Sequence, residues 1–302
     1  MDGLRLGPRL HVAVDCGYGG VRSMAQQSIL VVDDDAAVRR LLLAVLASPD
    51  RRIEEASDGR EALERLESTP YDLVLTDVRM PGMDGLELLR RIRGASPRTR
   101  VIVMTGGSTP SSVVQSLRDQ AFTYFSKPFS QEAVAHMISQ ALTAAACDDD
   151  IEVLSAKPAW ISLRVRCRLG TAERLIQFLR EMEVSLTAPQ RDEVAMAFHE
   201  LLANAIEHGG QCDSQKWLRL TYIRTSRAIL YHIADPGEGF SMEELPHAAV
   251  SNPPGEPWQH VQEREQRGIR PGGFGILLAR NLVDELIYNE KGNEVLLVKY
   301  LV

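Results

Sequence analysis

Carboxylate side chains follow two strand-like runs in the first half of the sequence. Asp33, Asp34 and Asp35 come directly after Ile-Leu-Val-Val, and Asp77 comes directly after Leu-Val-Leu-Thr. In a parallel sheet the chain segments that follow the strands converge on one edge, where ligands bind. Carboxylates gathered there would repel one another unless a cation joined them, and Mg²⁺ prefers hard oxygen ligands of this kind. The pattern predicts a magnesium site.

Two further side chains complete an anion-binding set. Thr105 closes another strand-like run and offers a hydroxyl to a phosphoryl oxygen, and Lys127, just before Pro128, supplies a positive charge. The run Asp148–Asp150 is also a triple aspartate, but no strand precedes it, so it is interpreted as solvated chain. The order of carboxylate, hydroxyl and ammonium groups after successive strands therefore indicates phosphoryl chemistry.

A polar stripe marks a predicted helix in the second half. Glu200, Asn204 and His208 are spaced i, i+4, i+8 and would share one helix face. Asn204 can ligate Mg²⁺, and Glu200 can polarise a hydroxyl or a water. An exposed helix face explains the same residues equally well, with the histidine favoured by the helix dipole and Gly209 as the cap. This stretch alone leaves both interpretations open.

Two glycine-rich motifs follow the polar stripe. Asp235 lies between a strand-like run and Gly237 and Gly239, where it can accept a hydrogen bond from an adenine amino group while the glycines allow close approach. The run Gly-Gly-Phe-Gly, which includes Gly273 and Gly275, precedes a predicted helix whose N-terminus suits a phosphate. With the polar stripe, the motifs predict a nucleotide pocket.

Hydrophobic periodicity predicts the elements that position the first set of residues. From Ser28 to about Cys147, short apolar runs alternate with amphipathic helices. Five successive βα units predict an α/β fold, a doubly wound five-stranded parallel sheet with helices on both faces. The predicted strands are Ile29–Val32, Arg52–Ala56, Leu73–Thr76, Val101–Thr105 and Thr123–Phe125, and the predicted helices are Ala36–Ala47, Arg60–Glu67, Gly85–Arg93, Ser111–Gln120 and Gln131–Ala144.

The second half has a different rhythm, which predicts an α+β sandwich. Residues 241–271 are rich in proline, glycine and charge, and a loop of this length in a compact domain is usually functional. The predicted elements are strands at Trp160–Val165, Trp217–Tyr222, Ala228–Ala234 and Glu294–Leu301, and helices at Thr171–Glu183, Gln190–His208 and Phe274–Ile287. The predicted organisation is an N-terminal arm over 1–26, a domain over 27–146, a linker over 147–157 and a domain over 158–302. The arm is expected either to be disordered or to result from a start codon that is assigned too early.

Composition excludes several classes of protein. The chain has 302 residues, a net charge of −7 and no basic stretch of the kind that phosphate-backbone binding needs, so we expect no direct nucleic-acid binding. The longest apolar run, Leu41–Ala47, is too short to span a membrane. The four cysteines form no C-x-x-C pair, which argues against a zinc site and a disulfide framework and fits a reducing cytoplasm.

Residues 28–146 resemble the receiver domain of bacterial two-component response regulators. The matching segments are Ile-Leu-Val-Val-Asp-Asp-Asp, Asp-Leu-Val-Leu-Thr-Asp-Val-Arg-Met-Pro-Gly-Met-Asp-Gly, Val-Met-Thr-Gly and Ser-Lys-Pro-Phe. The resemblance implies that a cognate sensor histidine kinase or a phosphotransfer protein supplies the phosphoryl group. It also implies the roles of individual residues: Asp77 as phosphoacceptor, Asp33 and Asp34 with Asp77 as Mg²⁺ ligands, Thr105 and Lys127 as catalytic contacts to the phosphoryl group, and Thr105 and Tyr124 as the switch pair.

Residues 158–302 resemble the ATP-binding domain shared by histidine kinases, gyrase and Hsp90-type ATPases, which has the Bergerat-type fold. The E-x-x-x-N-x-x-x-H-G run makes them most similar to anti-sigma-factor serine kinases. The family often has Gly-Thr before the last strand, where this chain has Gly292 and Asn293. The resemblance implies ATP and Mg²⁺ as cofactors, Asn204 as the Mg²⁺ ligand, Glu200 as the catalytic base, Asp235 as the adenine contact, and Asn204, His208, Gly237, Gly239, Gly273 and Gly275 around the nucleotide.

Together the resemblances imply a response regulator whose aspartyl phosphorylation controls an ATP-binding output domain. A serine/threonine kinase of anti-sigma partner switching is expected, with a sigma factor or an anti-sigma antagonist as partner and a homodimer as a possible assembly. One alternative is a module that binds ATP and sequesters a partner without transferring phosphate. An atypical histidine kinase is disfavoured, because 147–157 holds no histidine and is too short for a dimerisation hairpin. Helix Gln131–Ala144 leads into this segment and is the first candidate for coupling the domains.

Overall fold

Five strands of four to six residues form a parallel sheet in the first half of the chain, as predicted. The computed structural model describes residues 26–143, 150–183, 185–240 and 274–301. The strand order is β2-β1-β3-β4-β5, and every residue of the central strand β3 is buried, as expected for a sheet covered on both faces. The elements of this first domain are β1 (Gln27–Val32), α1 (Ala36–Leu46), β2 (Arg51–Ala56), α2 (Gly59–Ser68), β3 (Leu73–Asp77), α3 (Gly85–Ala95), β4 (Arg100–Thr105), α4 (Pro110–Arg118), β5 (Thr123–Ser126) and α5 (Gln131–Thr143).

The second half forms an antiparallel sheet that carries helices, which confirms the α+β prediction. Its strand order is β10-β11-β9-β8-β7-β6, and burial alternates along β7, where Ile161, Leu163 and Val165 are buried. The elements of this second domain are β6 (Ile151–Lys157), β7 (Trp160–Arg166), α6 (Leu169–Met182), α7 (Ala188–Asn204), a π-helical turn (Ala205–Gly209), β8 (Trp217–Arg224), β9 (Ala228–Ala234), α8 (Gly275–Leu282), β10 (Glu285–Tyr288) and β11 (Glu294–Tyr300).

Two predictions of secondary structure are wrong, and both errors concern edge strands. Residues 151–157, expected to belong to the linker, form β6 and pair with β7. The helix predicted over Phe274–Ile287 ends at Leu282, and β10 pairs with β11 instead. Each edge strand buries few side chains, so its apolar period is weak, and pairing with a neighbouring strand decides its conformation.

Helix α6 lies between the two domains. It packs against α7 in the second domain and against β5 and α4 in the first. Val113 and Tyr124 of the first domain belong to the same continuous apolar core as Leu175 and Phe178 of α6. Arg174 adds a polar contact, since its Nε donates to the carbonyl of Phe122 at 3.0 Å. In the parts of the chain that the structure describes, no helix is both long and apolar enough to cross a membrane.

Candidate functional site

Lys127 joins two buried carboxylates at the carboxyl edge of the parallel sheet. Its Nζ lies 2.6 Å from Asp33 Oδ2 and 2.6 Å from Asp77 Oδ1. Asp33 follows β1 and Asp77 ends β3, and these strands are neighbours in the sheet. Asp77 Oδ2 also accepts a hydrogen bond from the backbone N–H of Arg79 at 2.6 Å. The structure therefore brings together three residues that the strand-end argument placed here, and adds a backbone donor that no sequence pattern indicated.

The three consecutive aspartates have three different surroundings. Asp33 is fully buried, whereas the side chain of Asp34 is exposed. Asp35 caps α1, since its side chain accepts from the N–H of Ala37 at 2.7 Å. Among the described residues, no three His, Cys, Asp or Glu side chains form a metal-binding group. The Mg²⁺ role of Asp34 stays a prediction.

The electrostatics of the carboxylate pair favour a bound cation. Burial raises the pKa of Asp33 above its usual value, although the hydrogen bond from Lys127 opposes this. Burial alone would lower the pKa of Lys127, but the hydrogen bonds to Asp33 and Asp77 outweigh it, and the net shift is upward. Both carboxylates lie within reach of one ammonium group, and Mg²⁺ usually binds through one or two carboxylates and several waters. The donor set fits Mg²⁺.

Thr105 and Tyr124 are both fully buried beside this site. Thr105 Oγ1 accepts a hydrogen bond from the N–H of Gly107 at 3.3 Å, and the Tyr124 hydroxyl lies 3.0 Å from Ser112 Oγ on α4. Burial raises the pKa of Tyr124, with smaller opposing effects from hydrogen bonds. The role of the pair as a switch stays a prediction.

Glu200 and Asn204 meet the start of α8 in the second domain. A Cβ at Gly275 would lie 2.7 Å from Glu200 Oε2 and 3.5 Å from Asn204 Nδ2. Helix α7, which carries both residues, begins with a capping box, in which Thr187 and Gln190 form reciprocal hydrogen bonds that fix its N-terminus. The absence of a side chain at Gly275 thus lets the start of α8 lie close to the carboxylate and the amide, which together form a glycine cradle.

Asp235 lies beside Gly209, at the end of the helical segment that begins with α7. A Cβ at Gly209 would lie 2.2 Å from Asp235 Cγ, so the end of the polar helix and the strand β9 approach closely. Asp235 Oδ1 accepts from the N–H of Gly237 at 2.7 Å, and its own N–H donates to the carbonyl of Asn293 at 3.0 Å. Burial raises the pKa of Asp235, opposed by the hydrogen bond from Gly237. The carboxylate is thus packed against two glycines, and its role as the adenine contact stays a prediction.

His208 lies in a π-helical turn rather than in the regular α-helix that was predicted. The α-helix ends at Asn204 and continues as the π-helical turn Ala205–Gly209. His208 is exposed. Its place on the face of Glu200 and Asn204 and its contact with ATP stay predictions.

Gly239 and Gly292 shape a close backbone crossing. Gly239 has φ +86°, and a Cβ there would lie 1.9 Å from the carbonyl oxygen of Lys291. Lys291 Nζ donates to the carbonyl of Gly237 at 3.2 Å, a contact that the sequence did not indicate. Gly273 and the segment 241–271 lie outside the described residues.

The comparisons with known proteins match the two halves separately. Residues 29–139 match the family model "Response regulator receiver domain", and residues 165–299 match "Histidine kinase-like ATPase domain". The DNA-binding transcriptional regulator NtrC of Escherichia coli (strain K12) is 37% identical over 120 residues, which are 40% of this chain and 26% of that protein. The transcriptional regulatory protein ZraR of the same strain is 31% identical over 195 residues, which are 62% of this chain and 42% of that protein.

The chain therefore spans from about a quarter to less than half of the length of these relatives. Among solved structures, a CheY-like response regulator receiver domain protein from Methanospirillum hungatei JF-1 is 30% identical. The alignment covers 38% of this chain and 93% of that one, with a TM-score of 0.37.

Proposed function

Because this chain joins a response regulator receiver domain to a histidine kinase-like ATPase domain, we propose that phosphorylation of Asp77 controls phosphate transfer from ATP to a partner protein. The acceptor of the ATP phosphate is a serine or threonine of an anti-sigma antagonist. A sensor kinase or phosphotransfer protein supplies the phosphoryl group to Asp77 of the receiver domain. The arrangement of Glu200, Asn204 and Gly275 carries the proposal, because ATP binding needs the amide and the glycine cradle but not a carboxylate next to them.

In the receiver domain, Asp77 attacks the phosphorus of a phosphohistidine or a small acyl phosphate. The new P–O bond forms at the Asp77 carboxylate as the bond to the donor breaks and the donor leaves. Asp33 and Asp77, with Asp34 as a further predicted ligand, would hold Mg²⁺, which supplies charge neutralisation to the transferring group when bound. Lys127 then pairs with the phosphoryl oxygens, and Thr105 donates its hydroxyl hydrogen to them.

In the ATPase domain, Glu200 accepts the proton of the incoming hydroxyl as its oxygen bonds to the γ-phosphorus. The bond between the γ-phosphorus and the β,γ-bridging oxygen breaks, and ADP leaves. Asn204 would hold the Mg²⁺ of the nucleotide, and Asp235 accepts a hydrogen bond from the adenine amino group. The close approach of Gly275 to Glu200 places the N-terminus of α8, which suits a phosphate, beside the proposed base.

Transfer of label from γ-labelled ATP to a candidate anti-sigma antagonist tests this proposal. Removing a general base typically lowers a rate by about 10²–10⁴-fold, so Glu200→Gln should lose transfer by this factor while it still binds ATP. Glu193→Gln, two turns earlier on the same helix, is the matched control and should transfer normally. The label should survive acid, as a phosphoserine does.

Three outcomes contradict this proposal. Equal transfer by wild type and Glu200→Gln refutes the role of the base. ATP binding without transfer to any serine or threonine favours the module that only sequesters a partner, and an acid-labile label on a histidine favours the atypical histidine kinase.

A further inference from the structure

Glu181, in the last turn of α6, carries hydrogen bonds from the ATPase domain into the receiver domain. Its Oε2 accepts from Ser108 Oγ at 2.6 Å. Its Oε1 accepts from Ser126 Oγ at 2.7 Å and from the N–H of Ser126 at 3.2 Å. One carboxylate thus contacts two separate segments of the receiver domain.

The two serines flank the phosphorylation site. Ser126 precedes Lys127 and lies opposite Thr105 in the β4–β5 register. Ser108 follows Gly107, whose N–H donates to the Thr105 hydroxyl. Glu181 therefore holds both segments that present the phosphoryl-binding side chains to Asp77.

The same end of α6 is also anchored in the ATPase domain. Glu183, two residues further on, is buried, and its carboxylate accepts from the Tyr231 hydroxyl at 3.0 Å and from Arg224 Nη1 at 3.0 Å. The Tyr231 ring packs 5.1 Å from the ring of Phe198, which lies two residues before Glu200 on α7. The C-terminal end of α6 thus contacts the receiver domain through Glu181. Through Glu183 and Tyr231 it also contacts Phe198, which lies on the same helix as the proposed base.

We propose that Glu181 couples the two sites, because its hydrogen bonds to Ser108 and Ser126 compete with a phosphoryl group on Asp77. This inference rests on the proposed function and names how that function is regulated. A phosphoryl group carries about −1.5 to −2 charge at pH 7 and repels the Glu181 carboxylate. It also draws the Thr105 hydroxyl away from Gly107, which shifts the segment that holds Ser108. Phosphorylation therefore loosens α6, and a docked α6 opposes phosphorylation.

Energetic coupling between two sites is reciprocal, so the receiver domain alone reports it. If docked Glu181 opposes the phosphoryl group, removing its carboxylate must strengthen binding at Asp77. The probe is beryllofluoride with Mg²⁺, which binds an aspartate carboxylate as a phosphoryl mimic. This measurement is independent of ATP hydrolysis and of any partner protein.

The experiment uses the full chain as wild type, Glu181→Ala and Glu173→Ala. Glu173 is the matched control, because it lies on the same helix and also crosses the interface, with His136 Nε2 2.9 Å from its Oε2, but contacts α5. We expect Glu181→Ala to bind beryllofluoride about fivefold more tightly or better, and Glu173→Ala to match wild type. Beryllofluoride should speed hydrogen exchange over residues 175–183 in wild type and change nothing in Glu181→Ala.

Affinity that is equal to or weaker than wild type in Glu181→Ala overturns the proposal, as does an equal gain in Glu173→Ala. If Glu181→Ala unfolds at a lower temperature, the double variant Ser108→Ala and Ser126→Ala removes the two hydroxyl hydrogen bonds from the receiver side, leaves only the bond from the N–H of residue 126, and must raise the affinity as well. Failure of the kinase proposal leaves these affinities unaffected. Failure of the coupling leaves Glu200-dependent phosphate transfer intact.

Discussion

The contact between Gly209 and Asp235 gives a sharp test of the proposed nucleotide pocket. In Gly209→Ala, the new Cβ would lie 2.2 Å from Asp235 Cγ and 2.6 Å from its Cβ. An ordinary contact needs at least 3.4 Å, so the carboxylate must retreat by more than 1 Å. A displacement of this size breaks a hydrogen bond from an adenine amino group to Asp235.

The loss can be estimated from the hydrogen bond alone. A hydrogen bond to a charged group contributes about 1.5–3 kcal/mol, and each 1.4 kcal/mol is a factor of about 10 in affinity. Gly209→Ala should therefore weaken ATP binding by roughly 10- to 150-fold. Phosphorylation of Asp77 by acetyl phosphate should be unaffected, since the substitution lies in the other domain.

Calorimetric titration with ATP and Mg²⁺ measures the effect. Gly170→Ala is the matched control, because a Cβ at this position in the first turn of α6 meets nothing within 4 Å. It should bind ATP like wild type. If Gly209→Ala also binds ATP like wild type while its thermal unfolding is unchanged, Asp235 does not contact the nucleotide and the pocket assignment is wrong.

Two predictions concern the receiver domain. Asp77→Asn should abolish labelling by acetyl phosphate with Mg²⁺ and leave ATP binding unchanged, and a label that persists would contradict Asp77 as the acceptor. Lys127→Met leaves the carboxylates of Asp33 and Asp77 facing each other, so the pKa of Asp33, already raised by burial, should rise further. Because the pKa of Asp33 is then higher in the folded state than in the unfolded state, ionisation of this carboxyl at rising pH destabilises the fold. The free energy of unfolding of the variant should therefore fall by up to about 3 kcal/mol at neutral pH and recover in acid. Urea titrations of variant and wild type at about pH 7 and about pH 5 without Mg²⁺ check this, and a deficit independent of pH would contradict it.

The residues at the ends of the parallel strands could be predicted because the fold leaves them little choice. Strands in one parallel sheet bring their following residues to one edge, and Asp33, Asp77 and Lys127 meet there. The same reasoning could not separate the neighbouring aspartates. The turn after β1 sends one carboxylate inward, leaves Asp34 exposed and makes Asp35 a helix cap. Side-chain direction within a turn depends on its dihedral angles, which residue type and spacing do not specify.

The helical spacing of Glu200 and Asn204 likewise predicted their common site, because both lie within regular α-helix. It did not indicate that the helix changes to a π-helical turn at Ala205, because residue type and spacing do not specify that change in backbone hydrogen bonding. The edge strands β6 and β10 were missed because each buries few side chains and owes its conformation to a neighbouring strand.

From the sequence alone came the two domain folds, the meeting of Asp33, Asp77 and Lys127 at one sheet edge, and the common site of Glu200 and Asn204, since apolar periodicity and strand ends are local properties of the chain. Only the tertiary structure revealed the bonds from Glu181 to Ser108 and Ser126, which are 73 and 55 residues away along the chain. The apolar periodicity of α6 indicates that the helix is partly buried, but not which elements pack against it. The tertiary structure places β5 and α4 of the receiver domain against α6, and this packing brings Glu181 to Ser108 and Ser126.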